Sequence, residues 1–292
     1  MIAFLFPGQG VQQKNMLSLL KEASPETDRI FEAASDATGR DVKALCASDD
    51  LALLAETKNT QPAITAMNCA FFTALKERGV VPDVVAGHSL GQYSALICAE
   101  VLSPFDGFRL VARRAELMGS VRKKGKLCAI VGLDERTTED VCSITGCYPA
   151  LYNAPGQIVI GGEEKNVLDA VNKALEAGAV KAEILSVENA FHTPCMSEME
   201  EAFEKEVDMA DLKTPAIKVL LNCKGGPAES LSDIRDDLIK QCCHPVLWAD
   251  CMKYLAAQNP DEVYEVGVGS VLGGLLRRQN RKIIVRHPFT EE

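Results

Sequence analysis

A serine between two glycines is the residue whose setting most clearly predicts chemistry. Gly87-His88-Ser89-Leu90-Gly91 fits the pattern G-x-S-x-G, the sharp strand-to-helix turn called a nucleophile elbow. Such a turn presents a serine hydroxyl at the top of a sheet, and the helix N-terminus behind it favours negative charge where an oxyanion would form. The apolar run before the motif and the apolar periodicity after it predict the strand and the helix that this turn needs. We therefore expect Ser89 to act as a nucleophile, with the N–H of Leu90 beside it.

A serine hydroxyl also needs a base to remove its proton, and the chain has four histidines. His88 lies inside the elbow, whereas His244 and His287 each precede a proline. In an α/β-hydrolase the base usually lies late in the chain, which favours His287. His192 lies in a non-periodic stretch near a proline, where a cleft is expected, and this favours His192 instead. On the residues alone both stay candidates.

The composition predicts a globular protein with ample core. The chain has 292 residues, of which 47% are hydrophobic and 25% charged, enough for one large domain or a domain with an insertion. The opening stretch Met1–Pro7 lacks the basic region of a signal peptide and is predicted to be a strand. No stretch is apolar over the length of a bilayer, so we expect a cytoplasmic protein without a membrane partner. The 11 cysteines include no C-x-x-C pair, which predicts reduced thiols and no metal site.

The net charge of -10 argues against nucleic acid as a partner. Two segments are nevertheless basic. One contains Arg113, Arg114, Arg122, Lys123, Lys124 and Lys126, and the other contains Arg277, Arg278, Arg281, Lys282 and Arg286. Each is explained either as a solvated surface or as a docking surface for a phosphate-bearing or acidic partner.

Strands and helices alternate along the chain, which predicts an α/β fold. Between residues 123 and 188 the predicted order is strand, helix, strand, strand, helix, strand, the ferredoxin-like arrangement. We therefore expect a small inserted domain at 123–188. Residues 1–122 and 189–292 are predicted to form an α/β-hydrolase-like catalytic domain with a parallel sheet.

Several motifs together resemble one family. In chain order they are Phe6-Pro7-Gly8-Gln9-Gly10, Thr60-Gln61-Pro62-Ala63, the elbow at 87–91, Arg114, Asn153-Ala154-Pro155-Gly156-Gln157, Ala190-Phe191-His192 and Pro245-Val246-Leu247-Trp248. The set, which extends over nearly the whole chain, is similar to the malonyl-CoA:acyl carrier protein transacylase family, the acyltransferases of fatty acid and polyketide synthesis.

The resemblance implies a role for each matching residue. Ser89 would take a malonyl group from coenzyme A as an ester, with His192 as its base. The family holds this histidine with a backbone carbonyl, at the position of Leu247, in place of a triad acid. The N–H groups of Gln9 and Leu90 would form the oxyanion hole. Other matches, assigned to substrate binding, are Arg114 on the free carboxylate of malonate, Gln61, Asn153 near the acyl pocket, and Phe191 beside the α-carbon of the substrate.

The implied activity is a two-step transfer. Malonyl-CoA acylates Ser89, and the phosphopantetheine thiol of an acyl carrier protein then takes the malonyl group. Coenzyme A is a substrate, and no cofactor or metal is expected; the predicted oligomeric state is a monomer. Gln92 departs from the family, which usually carries glutamate there, and Asn189 departs as well. The alternatives are an acyl hydrolase on the same scaffold, in which water replaces the carrier thiol, and a binding subunit without catalytic activity.

Overall fold

The computed structural model describes residues 1–187 and 189–289. Its strands are β1 (Ile2–Phe6), β2 (Val84–Gly87), β3 (Lys126–Val131), β4 (Tyr148–Ala154), β5 (Gln157–Gly162), β6 (Lys181–Ile184), β7 (Lys218–Leu221), β8 (Gly226–Pro227), β9 (Glu262–Glu265) and β10 (Val285–Arg286). Its α-helices are α1 (Pro25–Thr38), α2 (Val42–Cys46), α3 (Leu51–Ala55), α4 (Thr57–Glu77), α5 (Gly91–Cys98), α6 (Pro104–Ser120), α7 (Glu135–Thr145), α8 (Glu164–Glu176), α9 (Glu200–Asp208), α10 (Leu231–Lys240), α11 (Trp248–Ala257) and α12 (Val271–Gln279). Two 3₁₀ turns, Met16–Leu19 and Pro194–Met199, complete these elements.

The larger sheet has the order β10-β9-β1-β2-β7-β8 and is parallel except for the β7–β8 pair. The central strand β1 has the sequence IAFLF and is buried from Ala3 to Phe6. A continuous apolar run of this kind forms a strand covered on both faces. Helices lie on both faces, and the long helix α4 is buried along most of its length. A mostly parallel sheet in an α/β fold is therefore present, as predicted.

The smaller sheet is antiparallel, with the order β4-β5-β3-β6. With α7 and α8 its strands follow the βαββαβ order predicted for the insertion. It has its own core, which includes Ile130, Ile160 and Val167. The elements from β3 to β6 lie inside the predicted 123–188, but the domain boundaries themselves stay a prediction. Residues 188 and 290–292, which these boundaries include, lie outside the described residues.

Three loops of the larger sheet meet at one edge. The strands β1, β2 and β7 are parallel, so their carboxyl ends lie side by side. Pro7 follows β1, His88 and Ser89 follow β2, and Asn222 follows β7. Strand β4 of the smaller sheet reaches the larger domain through a bridge between Leu151 and Val246. A cavity at this edge is lined by residues of both parts of the chain, including His88 from the loop after β2 and Asn153 from β4.

Candidate active site

The turn after β2 has the geometry of a nucleophile elbow. Ser89 has a φ of 50°, a left-handed conformation that costs free energy for a residue with a side chain. A Cβ on Gly87 would lie 1.9 Å from the backbone of Gly91, and a Cβ on Gly91 would lie 2.0 Å from the carbonyl oxygen of Phe6. Both glycines are therefore required, because β1, the turn and α5 approach too closely for any side chain there.

His192 contacts the serine directly. Its Nε2 lies 2.7 Å from Oγ of Ser89, and its Nδ1 lies 2.7 Å from the carbonyl oxygen of Gln241. Since a carbonyl only accepts, Nδ1 carries the proton and Nε2 accepts from the serine hydroxyl. The structure thus brings Ser89 and His192 together. His287 instead has its Nδ1 3.5 Å from a carboxylate oxygen of Glu265, at the N-terminus of α12.

The prediction that the carbonyl of Leu247 holds this histidine is wrong. The N–H of Leu247 donates to the carbonyl of Asn222 at 2.8 Å, and its carbonyl accepts from Cys251 inside α11 at 3.1 Å. Leu247 is the residue before the first turn of α11, so its carbonyl belongs to that helix. The loop after α10 passes over His192 instead, where the carbonyl of Cys242 also accepts the backbone N–H of His192 at 2.9 Å.

The surroundings of His192 keep its imidazole neutral. Burial, together with the nearby positive charge of Arg114, lowers the pKa of His192 from 6.5 to about 3. Both causes disfavour the charged form. A neutral imidazole with a free Nε2 lone pair beside a hydroxyl can act as a general base.

Arg114 on α6 is the third residue that the structure brings to the serine. It is only 1% exposed. Its Nη1 donates to Oε1 of Gln61 at 2.9 Å, and its Nη2 donates to Oγ of Ser89 at 3.0 Å and to Oε1 of Gln241 at 3.3 Å. The guanidinium also lies over the ring of Tyr93, 5.5 Å from its centroid. Its Nε–H has no hydrogen-bond partner among the described residues, which is costly for a buried charged group.

Two backbone N–H groups in the loops that meet at the elbow, those of Gln9 and Leu90, have no acceptor among the described residues. The loop after β1 lies against the loop after β2 at Gly8. Only a glycine permits this approach, because a Cβ on residue 8 would lie 2.6 Å from the carbonyl oxygen of His88. The role of these two N–H groups as an oxyanion hole stays a prediction, and their lack of an acceptor is compatible with it.

The remaining predicted residues have identifiable positions. Asn153 accepts a hydrogen bond at 2.7 Å through Oδ1 from Nε2 of His88, whose pKa is lowered by burial. Gln9, His88 and Asn153 line a cavity of about 200 Å³ next to the elbow. Phe191 is 6% exposed and packs into the main core directly before His192. The roles of these residues in binding an acyl group stay predictions.

Sequence reasoning missed two polar residues that fix the elbow. Asn222 accepts the N–H of Ser89 through Oδ1 at 2.7 Å and donates through Nδ2 to the carbonyl of Gly87 at 2.8 Å. Gln241 adds a bond from Nε2 to the carbonyl of Ser89 at 3.0 Å. These bonds satisfy backbone groups on both sides of the strained residue. The position of Asn222 directly after an apolar strand is the one sequence signal that could have indicated it.

Behind Asn222 lies a buried carboxylate. The side chain of Gln92 accepts the backbone N–H of Asn222 at 2.8 Å and donates to Asp237 at 3.0 Å. Gln92 thus connects the elbow support to Asp237, whose pKa is raised by burial. A glutamate at position 92 would place a second carboxylate against Asp237, so the amide fits this site better.

The described residues contain neither a metal-binding cluster nor a membrane-spanning helix. No group of three or more His, Cys, Asp or Glu side chains there is arranged to hold a metal ion. None of the helices in that part of the chain has the length and apolar character to cross a membrane.

The chain is similar over most of its length to known proteins. The family model for the acyl transferase domain matches residues 3–282. The malonyl CoA-acyl carrier protein transacylase of Bacillus subtilis is 36% identical over 301 residues, with 100% of this chain and 95% of that protein covered. The polyketide biosynthesis protein ThaF of Burkholderia thailandensis is 37% identical over 282 residues; the match covers 95% of this chain but 24% of ThaF.

Solved structures of malonyl-transacylases are also similar to this chain over nearly its whole length. A crystal structure of malonyl-CoA:acyl carrier protein transacylase from Xanthomonas oryzae superimposes with a TM-score of 0.93 at 35% identity, covering 99% of this chain and 94% of that one. A malonyl-transacylase in complex with its type II PKS acyl-carrier protein matches with a TM-score of 0.94 at 32% identity, covering 99% and 96% of the two chains.

Proposed function

Because this chain belongs to the acyl transferase domain family, as its motifs predicted, we propose that it transfers a malonyl group from coenzyme A to an acyl carrier protein. The relatives that match along most of their own length carry this name, and one solved relative is in complex with its carrier protein. The relatives include both a general transacylase and a polyketide protein. The predicted cytoplasmic location and monomeric state stay predictions.

The first half of the reaction forms an ester on Ser89. Oγ attacks the thioester carbonyl while Nε2 of His192, 2.7 Å away, takes the hydroxyl proton. The carbonyl oxygen becomes an oxyanion, which the N–H groups of Gln9 and Leu90 stabilise. The carbon–sulfur bond then breaks, and the proton on His192 passes to the departing thiolate of coenzyme A.

The second half runs the same steps with a different thiol. The carrier thiol gives its proton to His192 and its sulfur attacks the ester carbonyl. The bond from the carbonyl carbon to Oγ breaks, and the proton on His192 returns to Ser89. His192 begins and ends each half in the neutral form, which its lowered pKa favours.

The observation that carries the choice of malonyl is the buried Nε–H of Arg114, which has no hydrogen-bond partner among the described residues. Nε–H shares one edge of the planar guanidinium with Nη2, which contacts Oγ of Ser89 at 3.0 Å and Oε1 of Gln241 at 3.3 Å. A carboxylate that accepts from both would complete the hydrogen bonds of this buried cation. In a malonyl thioester the free carboxylate is separated from the reacting carbonyl by a single methylene, so both groups fit next to Ser89.

An assay with a holo carrier protein tests this function against hydrolysis. The enzyme is mixed with malonyl-CoA and holo carrier, and malonyl-carrier and free malonate are both quantified by mass spectrometry. We expect malonyl-carrier to be the main product and Ser89→Ala to abolish it. Release of malonate that exceeds transfer would favour an acyl hydrolase, and failure of wild-type enzyme to consume malonyl-CoA would favour a binding subunit.

A further inference from the structure

The serine and the histidine of the site are held by different elements of the fold. Ser89 lies in the turn before α5, whereas the carbonyl that accepts from His192 belongs to Gln241, directly after α10. Asp237 lies on α10 one turn before Gln241, whose N–H donates to the carbonyl of Asp237 at 2.8 Å. The side chain of Asp237 is buried and accepts from Gln92 on α5. Asp237 therefore connects the element that holds His192 with the helix behind the elbow.

The carboxylate of Asp237 accepts hydrogen bonds from two directions. Its Oδ2 accepts from the side-chain amide of Gln92 at 3.0 Å. Its Oδ1 accepts from the backbone N–H groups of Cys223 and Lys224, at 2.8 Å and 3.4 Å, in the turn after β7. The carboxylate thus fixes α5 and the end of β7 relative to α10, and both of these elements border the elbow.

The amide of Gln92 has one orientation that satisfies its neighbours. Its Oε1 accepts the backbone N–H of Asn222 at 2.8 Å, so its Nε2 is the group that donates to Asp237. A turned amide would place two donors against each other at Asn222 and two acceptors against each other at Asp237. Asn222 in turn accepts the N–H of Ser89 at 2.7 Å. A directed series of hydrogen bonds therefore leads from the carboxylate to the serine.

This series is buried and ends at the strained residue of the site. Gln92, Asn222 and Asp237 are all buried, and a buried donor that loses its acceptor is costly, so its neighbours move to restore a hydrogen bond. Ser89 has a left-handed backbone conformation, which persists where surrounding contacts hold it. Oγ of Ser89 must also stay within hydrogen-bond distance of Nε2 of His192 for proton transfer. A shift at Asn222 therefore changes the geometry on which proton transfer depends.

We propose that Gln92 and Asp237 are positioning residues, which together hold Ser89 and His192 in the geometry that acylation needs. This inference rests on the proposed role of Ser89 as the nucleophile. The two residues act through Asn222 and Gln241, and they take no part in the chemical step. What the site requires is one amide facing one carboxylate, so the two groups are exchangeable between positions 92 and 237.

Exchanging the two groups tests this proposal. In Gln92→Glu two carboxylates face each other, and in Asp237→Asn one N–H donor loses its acceptor. In the double variant Gln92→Glu, Asp237→Asn, the new glutamate accepts from Asn222 and from the amide of the new asparagine. The oxygen of that asparagine still accepts from the N–H of Cys223. Since every donor again has an acceptor, the double variant should recover what each single variant loses.

Single-turnover acylation by malonyl-CoA gives the maximal rate of ester formation on Ser89 and the concentration at which half that rate is reached. We expect each single variant to lose roughly tenfold in the maximal rate, with the half-saturating concentration changed less than about twofold. The double variant should return to within about threefold of the wild-type rate. The control is Asp236→Asn on the same helix, whose exposed carboxylate pairs with Arg235 and should leave the rate unchanged.

Labelling of Ser89 by a fluorophosphonate separates this proposal from malonyl transfer, because the probe reacts with an activated serine without any thioester. The labelling rate should fall in each single variant and recover in the double variant. Wild-type protein that is labelled but does not consume malonyl-CoA would refute the proposed transfer, and the labelling rates would still decide the role of Gln92 and Asp237.

Circular dichroism checks that each variant is folded at the assay temperature. Gln92→Met, which keeps the side-chain length and adds no charge, replaces Gln92→Glu if that single variant unfolds, and it should slow both reactions as well. Unchanged rates in the single variants, a double variant no faster than the slower single variant, or wild-type protein in which the probe does not label Ser89 would overturn the proposal.

Discussion

Replacing Arg114 with alanine should convert a malonyl-selective site into one that no longer distinguishes malonyl from acetyl. Arg114 is buried, its Nη2 contacts the serine oxygen, and the neighbouring Nε–H has no hydrogen-bond partner among the described residues. A malonyl carboxylate would gain two charge-assisted hydrogen bonds from Nε–H and Nη2. An acetyl group gains none and leaves the buried charge unpaired.

The size of the effect follows from those two bonds. A hydrogen bond to a charged group contributes about 1.5–3 kcal/mol, and the existing contacts of Nη2 with Ser89 and Gln241 must be given up when the carboxylate binds. We therefore use the lower part of the range, about 3–4 kcal/mol for the pair, which is a loss of roughly 10²–10³ in kcat/KM for malonyl-CoA. The value for acetyl-CoA should stay within about threefold or rise, because acetyl has no carboxylate to lose.

The assay is Ser89 acylation followed by mass spectrometry in a quenched-flow experiment, with both thioesters. Arg113→Ala is the matched control on the same helix, because Arg113 pairs with Glu206 and Glu116 at the surface and should change neither rate. Thermal unfolding of both variants checks that the fold is retained, because Arg114→Ala removes the guanidinium that donates a hydrogen bond to Gln61. Equal losses for malonyl-CoA and acetyl-CoA would refute the reasoning, since Arg114 would then act on the serine and not on the carboxylate.

Two pH experiments follow from buried titratable groups. Burial and the charge of Arg114 lower the pKa of His192 to about 3, so its neutral form prevails above that pH. We therefore expect kcat/KM for acylation to be constant between about pH 5 and 7.5. A fall in kcat/KM towards acid pH with a midpoint near 6.5 would contradict this. Burial raises the pKa of Glu265 from 4.5 to about 7. Between these two pH values the folded protein keeps the proton that the unfolded chain has lost. The free energy of unfolding should therefore fall as the pH rises from 4.5 to about 7. In urea unfolding, the Glu265→Gln variant should lack this pH-dependent fall in the free energy of unfolding, which amounts to at most about 3 kcal/mol over this pH range. If the free energy of unfolding depends on pH equally in the variant and the wild type, the prediction is wrong.

The elbow was predictable because its geometry is dictated locally. Gly87 and Gly91 flank the serine, and the strand and helix patterns on either side are continuous in the sequence. Close contacts within these five residues leave few other backbone conformations for the turn. The structure has the turn where the motif predicts it. The mostly parallel sheet was predictable for a similar reason, since the buried strand β1 is an uninterrupted apolar run.

The partners of the serine were less predictable, because they come from distant parts of the chain. The residues alone left His192 and His287 open, and only the family resemblance favoured Arg114 over a surface arginine. The resemblance assigned the carbonyl to Leu247 and not to Gln241, and the residues could not correct this because a backbone carbonyl has no side-chain signature. Whether such a carbonyl reaches an imidazole depends on where the preceding helix ends, and helix ends are the least certain feature of a sequence-based prediction.

Intact-mass measurement of the enzyme after mixing with malonyl-CoA, without any acceptor, tests the central claim most directly. We predict that wild-type protein gains one malonyl group, that peptide mapping locates it on Ser89, and that Ser89→Ala gains none. A malonyl group on a cysteine or on any residue other than Ser89, or an unmodified wild-type protein, would contradict the account.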